Sequence, residues 1–286
     1  MSTELEKPKQ TLKDYVFSEE TKRKFESLLK DNPATFLTSI VQIANSNDML
    51  KKAEPSSIIN AALTAATLNL PLNNNLGFAW IVPYQDKAQF QIGWKGFVQL
   101  AQRSGLFKSI YATPIYEGQI TNNNPLEGYE FDFSVKPTGA PIGYAARFKL
   151  LNGFQSTMYM STEDVERHAK KYSQTYKKGF GVWKDNFDAM AKKTVIKLLI
   201  SQYAPLSINM QTALLADQAI IKQDEEGTFQ YLDNEPEKVD KELERFALLI
   251  QDASTLDDIE ALKKHVPDVL LDDLLMKEQK LRNGGK

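Results

Sequence analysis

The hydrophobic pattern of the chain changes its period at Leu70-Pro71-Leu72, and this change limits the fold classes that are open to it. Before that point, apolar residues recur every three or four positions in segments that begin near Ser18, Pro33 and Pro55. This spacing predicts three helices, with Ser18 as an N-cap and each proline in a first turn. After it, alternating apolar and polar residues predict strands. The expected fold class is therefore α+β.

The first two predicted strands, at 79–84 and 88–93, form a β-hairpin around Asp86-Lys87. Gln89 and Gln91 alternate with apolar residues in the second strand, so one face of the hairpin is expected to be apolar and the other to present amides. A helix at 93–105 follows, with Gly105 as its stop. Further alternating stretches are expected to extend a mixed sheet that packs with the helices: 106–116, 129–135, 142–151 and 154–160.

The clearest amphipathic pattern lies at residues 185–203. At about 100° per residue, its apolar side chains cluster on one side, and Lys192, Lys193 and Lys197 are expected to project from the other. The preceding helix opens at Ser161 in capping-box spacing. Between that helix and Trp183, the Tyr-, Lys- and Gly-rich segment predicts a loop.

A length of 286 residues suggests about two folded units at roughly 150 residues each. The predicted organisation has four parts: a flexible N-terminus at 1–17, a core at 18–221, an acidic linker at 222–237 and a small α-helical C-terminal module at 238–286. No apolar stretch approaches the ~18 to 20 residues of a membrane span, and the first ten residues do not resemble a signal peptide. A cytoplasmic protein without a membrane association is expected.

The small net charge of −2 conceals two parts of opposite sign. From Asp224 onward, nine Lys and Arg residues face seventeen Asp and Glu residues, a net charge of −8, and residues 1–223 carry +6. The window 165–200 alone accounts for this +6, since it holds nine basic and three acidic residues. Clustered cations favour a polyanionic partner because binding releases the counterions of its phosphates. A solvated lysine-rich helix face is the alternative interpretation.

Few enzyme chemistries have the residues that they require. The chain has no cysteine, its two histidines, His168 and His265, lie far apart, and the G-x-x-x-x-G-K-[ST] motif of triphosphate sites does not occur. We therefore expect no catalytic residue, no bound metal, no ATP and no enzymatic activity. Asp185 and Asp188 offer a metal-dependent nuclease as one alternative, although helix-start positions explain both carboxylates.

Aromatic residues interleave with the lysines of this window. Lysines contact phosphates without reading sequence, and flat rings can stack on any base at about 1 to 3 kcal/mol each, so the mixture is typical of single-strand binding proteins. Tyr172 and Tyr176 are the candidate base-stacking residues, near Lys177, Lys178 and Lys184. The alternative for Trp183 and Phe187 is that they anchor the following helix in the core.

Four stretches in order resemble the RecT family of phage and prophage recombinases: ATLNLPLNNNLGFAWIVPY (66–84), AQFQIGWKGFVQLAQRSG (88–105), DAMAKKTVIKLL (188–199) and LSINMQTA (206–213). The resemblance runs from about Phe25 to Ala219. It implies an ATP-independent protein that coats single-stranded DNA, anneals complementary strands and assembles into rings or filaments. Two positions depart from the family pattern, since Trp94 replaces a usual Tyr and Asn209 a common Asp.

The resemblance also implies which residues line a basic DNA groove. They are Gln89 and Gln91 of the hairpin, the Trp94-Lys95-Gly96 turn, Arg103 and the lysines of the 185–203 helix. With the basic residues around them, the candidate DNA-binding set is Lys87, Gln89, Gln91, Trp94, Lys95, Arg103, Lys177, Lys178, Lys184, Lys192, Lys193 and Lys197.

The resemblance further implies a homo-oligomer whose partners are single-stranded and annealed duplex DNA. By analogy with the phage lambda Beta protein, the acidic C-terminal module is expected to bind a partner exonuclease or the host single-strand-binding protein. No cofactor is expected, and assistance of annealing by Mg²⁺ through screening of the strands is left open. A passive protein with merely solvating lysines is a further alternative. The helical pattern itself predicts that Lys193→Glu and Lys197→Glu weaken DNA binding while the fold survives.

Overall fold

The computed structural model describes residues 11–29, 32–124, 126–217, 220–221, 229–230, 246, 249–250, 252–253, 255–263, 265–266 and 271–283. The chain divides into two compact units, at 1–234 and 235–286. Most of the predicted linker at 222–237 and the first ten residues of the predicted flexible N-terminus lie outside the described residues, so these domain boundaries stay predictions. The α+β class is confirmed.

Four helices open the first unit: α1 (Leu12–Val16), α2 (Glu19–Leu28), α3 (Pro33–Asn45) and α4 (Pro55–Thr67). The predicted cap is confirmed, since the Ser18 hydroxyl accepts a hydrogen bond from the Thr21 N–H. Pro33 and Pro55 begin α3 and α4, where a missing N–H leaves no hydrogen bond unmade. The helices α2 to α4 bury their apolar faces in one core. The sequence pattern did not predict α1.

The predicted hairpin is confirmed as β1 (Ala79–Tyr84) and β2 (Lys87–Ile92). Its apolar face, which includes Phe90, is buried against α4, and the Ala88 N–H donates to the Ser57 hydroxyl of that helix at 2.8 Å. Helix α5 (Trp94–Arg103) follows directly. Gly105 stands just beyond it at a φ of 71°, a left-handed conformation that suits glycine, so the predicted stop is confirmed.

The remaining strands do not form the expected mixed sheet. All described strand pairs are antiparallel, and the β1–β2 hairpin is a sheet of its own. A three-stranded sheet has the order β3 (Phe107–Ile115), β6 (Gly143–Leu150), β7 (Gln155–Ser161), and β4 (Ile120–Asn124) pairs with β5 (Gly128–Phe131). Short connections favour antiparallel pairing for β4–β5 and β6–β7, because parallel neighbours need a crossover of a dozen or more residues. The longer connection from β3 to β6 contains the β4–β5 pair.

The second half of the unit is mainly helical. Its elements are α6 (Thr162–Tyr172), α7 (Gln174–Lys177), α8 (Val182–Asp185), α9 (Phe187–Tyr203), α10 (Ile208–Ala216) and the short strands β8 (Ile220–Ile221) and β9 (Phe229–Gln230). The short helices α7 and α8 stand where a loop was predicted. Helix α9 packs against α5 and the three-stranded sheet and is buried on most sides, including Ile196 and Ile200. It is a central helix, because neighbouring elements surround it.

The second unit contains α11 (Leu256–Lys263) and α12 (Leu271–Asn283). Its core is formed by Ile250, Ala253, Ile259 and Leu274. Among the described residues, we find no helix with the length and apolar character that a membrane span requires.

Candidate nucleic-acid interface

The face of the hairpin that points away from α4 lines a cleft. Trp80 pairs with Gln91 and Val82 with Gln89 across the two strands, so rings, aliphatic groups and amides alternate on this face. Together with Tyr84 they line a cavity of about 490 Å³. The sequence prediction that Gln89 and Gln91 share a face is confirmed by this register.

This amide face is largely covered by protein. Gln89 is only 1% exposed and Gln91 is half-buried, because other elements of the first unit cover the hairpin. The cavity over them is also bordered by Ile43 and Met49 near the end of α3 and by Ser173, Thr175 and residues of α8.

Two smaller cavities adjoin the first one. One, of about 120 Å³, lies between Trp80, Trp94 and the start of α9, and the other, of about 230 Å³, is lined by His168, Tyr172, Lys193 and Lys197. Met190 lines all three cavities. We call these three adjoining cavities the cleft. It places aromatic rings, amides and ammonium groups side by side along the first half of α9.

The segment 174–185 forms one wall of the cleft and is anchored by aromatic rings. Trp183 is buried, with its ring centroid 6.0 Å from that of Tyr176 and 5.7 Å from that of Phe187. Trp183 and Phe187 therefore anchor the start of α9, as the alternative interpretation had it. Phe180 is 54% exposed and stands between Gly179 and Gly181, whose φ angles of 80° and 91° suit glycine.

The two candidate stacking residues differ in their surroundings. Tyr172 is 40% exposed at the end of α6, with the His168 ring 4.6 Å away and the Lys171 ammonium 5.2 Å from its centroid. Tyr176 is half-buried against Trp183. Tyr172 thus offers more ring surface to a base, and the stacking role of both residues stays a prediction.

Several predicted lysines lie in chain segments whose neighbouring residues line the cleft. Lys95, Lys177, Lys178 and Lys184 are exposed, and Lys87 and Lys192 are half-buried. Lys177 and Lys184 form no ion pair within the part of the chain that the structure describes. The side chains of Lys177 and Lys184 are therefore accessible to a phosphate.

Two lysine ammonium groups lie close to the Trp94 ring, one from the next residue in the chain and one from α9. The Lys95 ammonium lies 5.9 Å and the Lys192 ammonium 5.6 Å from the Trp94 ring centroid, within the range of cation–π attraction. Lys192 also pairs with Asp188 at 2.7 Å. Two cations thus lie next to a ring that lines the 120 Å³ cavity.

The placement of Lys193 contradicts the sequence prediction. Lys193 is only 5% exposed, and its ammonium pairs with the Asp217 carboxylate at 2.7 Å. Lys197, with a side chain 30% exposed, pairs with the other oxygen of Asp217 at 2.8 Å. The physical reason is that α10 brings Asp217 back onto α9, so the polar side of α9 faces a buried carboxylate and only Lys192 and part of Lys197 remain near solvent.

Asp217 was missed by the sequence analysis and is the centre of this arrangement. It is completely buried, and one of its oxygens also accepts the backbone N–H of Ile92 in β2 at 3.2 Å. The sequence feature that could have identified it is its position as a single carboxylate within the apolar stretch 213–221, which indicates a buried charge. The group of three charges, Lys193, Asp217 and Lys197, carries a net charge of +1 next to the 230 Å³ cavity. We call it the buried triad.

The pKa values of two groups reflect this environment. Burial opposes ionisation of Asp217, but the ammonium groups of Lys193 and Lys197 outweigh it, and the pKa of Asp217 lies below its ordinary value of 3.8. The pKa of His168 is lowered from 6.5, first by burial and then by the charges of Lys197 and Lys171. Asp217 is therefore charged and His168 neutral at pH 7.

Arg103 has a structural role in addition to its predicted one. Its guanidinium donates to the carbonyl oxygen of Leu68 at 2.9 Å and to that of Asn69 at 3.2 Å. These carbonyls lie at the C-terminal end of α4, where backbone acceptors lack helical partners. Arg103 thus joins α5 to α4, and its contact with DNA stays a prediction.

The carboxylates of the nuclease alternative are not gathered into a metal site. Asp188 pairs with Lys192, and Asp185 is at the end of α8. Within the described ranges, no group of three or more His, Cys, Asp or Glu side chains could hold a metal ion. The structure therefore brings together the basic and aromatic candidates but not the acidic ones.

Comparison with known proteins confirms the resemblance. The sequence model of the RecT family matches residues 34–232, which is more than half of the chain. The chain is 44% identical over 236 residues to "Uncharacterized protein YqaK" of Bacillus subtilis (strain 168), covering 81% of this chain and 82% of that protein. It is 26% identical over 189 residues to "Protein RecT" of Escherichia coli (strain K12), covering 59% of this chain and 65% of that protein. The chain thus belongs to the RecT family, whose members are phage-type recombination and strand-annealing proteins rather than conventional enzymes.

Proposed function

We propose that this protein binds single-stranded DNA across the cleft and its surrounding lysines and anneals complementary strands without ATP. The observation that carries this proposal is that exposed lysines stand next in the chain to residues of a cleft lined with aromatic rings and amides. Ammonium groups attract phosphates by releasing condensed counterions, and rings accept bases of any sequence. The protein therefore needs no base-specific contacts to coat a strand.

Annealing requires two strands of like charge to approach each other. Exposed lysines next to residues that line the cleft, such as Lys95 and Lys184, would neutralise part of that charge. Base pairing would then select the complement, so sequence recognition belongs to the DNA itself. No covalent bond is made or broken in this process, so annealing needs neither a thiol nucleophile nor the G-x-x-x-x-G-K-[ST] motif, which this sequence does not contain.

The buried triad would support binding through its electric field. Its net charge of +1 lies in a region of low dielectric beside the 230 Å³ cavity, where a charge is less screened than on the surface. In this proposal Lys197 approaches a phosphate while still paired to Asp217. Lys193 acts at a distance, because its side chain is covered by protein.

The wider assembly is part of the same proposal. The protein would act as a homo-oligomer on single-stranded and annealed duplex DNA, with Mg²⁺ assisting by screening the strands. The C-terminal unit, which belongs to the acidic part of the chain, would bind a partner exonuclease or the host single-strand-binding protein. Pull-down with the isolated proteins, with and without residues 235–286, would test this partner assignment.

An annealing assay tests the central function. With two complementary labelled oligonucleotides and no ATP, the protein is expected to accelerate duplex formation well above the rate in buffer, and both strands should remain at full length in Mg²⁺. Loss of strand length would support the nuclease alternative. An unchanged hybridisation rate would contradict the proposal, and no affinity for oligonucleotides at low salt would support the passive alternative.

Reversal of two exposed charges is expected to weaken DNA binding without unfolding the protein. In the double variant Lys177→Glu and Lys184→Glu, the plot of log affinity against log salt concentration should have a less steep slope. The slope should decrease by about 0.7 for each phosphate of a single strand that the protein no longer neutralises. A fluorescence titration at several salt concentrations measures this slope. The double variant Lys108→Glu and Lys136→Glu is the matched control, because it makes the same change in net charge at exposed positions outside the 174–185 segment that forms one wall of the cleft. Equal slopes in both double variants would remove α7 and α8 from the DNA site.

A further inference from the structure

Gln89 has a buried hydrogen-bond donor without a partner. Among the described residues, its Nε2 is the one buried side-chain nitrogen or oxygen that makes no hydrogen bond. The backbone of Gln89 pairs with Val82 in the hairpin, so the unsatisfied group of this residue is the side-chain Nε2. Such groups are rare in folded proteins and call for an explanation, because a buried donor without an acceptor destabilises the native state.

The position of Gln89 suggests where its acceptor comes from. The residue lines the 490 Å³ cavity on the amide face of the hairpin, between Val82 and the half-buried Gln91. Trp80, Tyr84 and Trp183 border the same space. A flat group with hydrogen-bond acceptors on its edge would fill it, with its faces against rings and its edge toward the amide.

The charges around this cavity distinguish a base from a phosphate. Among the described residues that line it there is no lysine or arginine, and its one charged side chain is the carboxylate of Asp185. The adjoining 230 Å³ cavity is lined by Lys193 and Lys197. A phosphate is therefore favoured in the smaller cavity and a neutral group in the larger one.

We propose that the 490 Å³ cavity is a nucleobase site in which Gln89 Nε2 donates a hydrogen bond to an acceptor on the edge of a base of the bound strand. This inference rests on the proposed function, since it assigns the bases to one part of the cleft and the phosphates to its surroundings. Every base has at least one such acceptor, so the contact needs no sequence preference. The base reaches Nε2 when the 174–185 segment shifts, and the glycines at 179 and 181 give this segment the backbone freedom to do so.

The test separates hydrogen bonding from stacking. Affinities are measured by fluorescence anisotropy for oligothymidine and for a strand of the same length in which difluorotoluene replaces each thymine, which keeps the shape of the base and removes its acceptors. The wild-type protein is expected to prefer oligothymidine by about three- to tenfold, the range of one net hydrogen bond. In Gln89→Leu the ratio of the affinity for oligothymidine to the affinity for the difluorotoluene strand should fall to about one. The affinity for the difluorotoluene strand itself should be unchanged.

Gln102→Leu is the matched control, because it removes an exposed amide that lines none of the three cavities, and it should keep the wild-type preference. Gln89→Leu is also expected to keep the thermal midpoint of the wild type, since it removes an unsatisfied donor. Gln89→Met serves as a second apolar variant. Loss of folding in both variants would show that Nε2 is paired within the protein and would overturn the inference.

The remaining outcomes are also decisive. Equal affinities of the wild type for the two strands, or an equal loss for both strands in Gln89→Leu, would overturn the base contact and leave the proposed function intact. Failure of the wild type to bind either strand would overturn the proposed function and the base contact together.

Discussion

Asp217→Asn is expected to lower the free energy of unfolding of the first unit by about 3 to 5 kcal/mol. The substitution removes the only carboxylate that pairs with the ammonium groups of Lys193 and Lys197 within the described residues. Lys193 is covered by protein and cannot replace this partner with water. The new side chain can still accept the Ile92 N–H, so the change isolates the charge.

Denaturation followed by tryptophan fluorescence measures this effect. The three tryptophans of the chain, Trp80, Trp94 and Trp183, all belong to the first unit, so the signal reports on that unit. Asp188→Asn is the control, since it removes the carboxylate of a more exposed pair with Lys192 and should cost no more than about 1 kcal/mol. Equal effects of the two substitutions would contradict a buried role for Asp217.

The pH dependence identifies the cause of the destabilisation. Because the pKa of Asp217 is depressed in the folded state, its stabilising contribution is present above the ordinary value of 3.8 and is lost as the pH falls through the folded value. The stability difference between the wild type and Asp217→Asn should therefore be constant near neutral pH and shrink below pH 3.8. A difference independent of pH in this range would indicate a cause other than ionisation.

Lys193→Glu is expected to be at least as damaging, with a decrease in stability of about 3 to 5 kcal/mol or more. It places a second carboxylate beside the fully buried Asp217 and leaves Lys197 as the one cation of the triad. Two carboxylates in contact cannot both stay ionised in a buried site without a large cost. Soluble yield and the denaturation midpoint measure the effect.

Lys184→Glu is the control for this substitution, because Lys184 is exposed on α8 and the same charge change should alter stability little. A Lys193→Glu variant with the midpoint of the wild type would show that the side chain turns to solvent, as the helical pattern indicates. The structure also changes how such a variant is interpreted. Loss of DNA binding in Lys193→Glu would reflect loss of the fold, whereas Lys197→Glu, at a partly exposed position, tests the site more directly.

Structural elements whose determinants are local in the chain could be predicted from the sequence. The Ser18 cap, the prolines that open α3 and α4 and the glycine after α5 act within one turn of backbone, and their residue types suffice to place them. The hairpin follows from the two-residue alternation of β2. The β4 strand was not predicted, because its asparagines are typical of turns and only pairing with β5 gives them a strand conformation.

The candidate site was only partly accessible from the sequence. Composition and local pattern identified the basic and aromatic segment, the amide face of the hairpin and the family. The helical period assigned Lys193 to the solvent side of its helix. This was wrong because the period shows which residues share a side of a helix but not whether another element packs on that side. Lys193 is paired with Asp217, which lies 24 residues away in the chain. Asp217 in turn accepts a hydrogen bond from the Ile92 N–H, 125 residues away.

The sequence by itself thus determined which residues share a face of each element, because that depends on the backbone period alone. The tertiary structure decided which of those faces meet water. It buried Gln89 beneath the cleft and paired Lys193 with Asp217, while it left Lys177 and Lys184 exposed around them. The physical reason is that burial and ion pairing depend on distances between elements far apart in the chain, and these distances are set only when the elements pack.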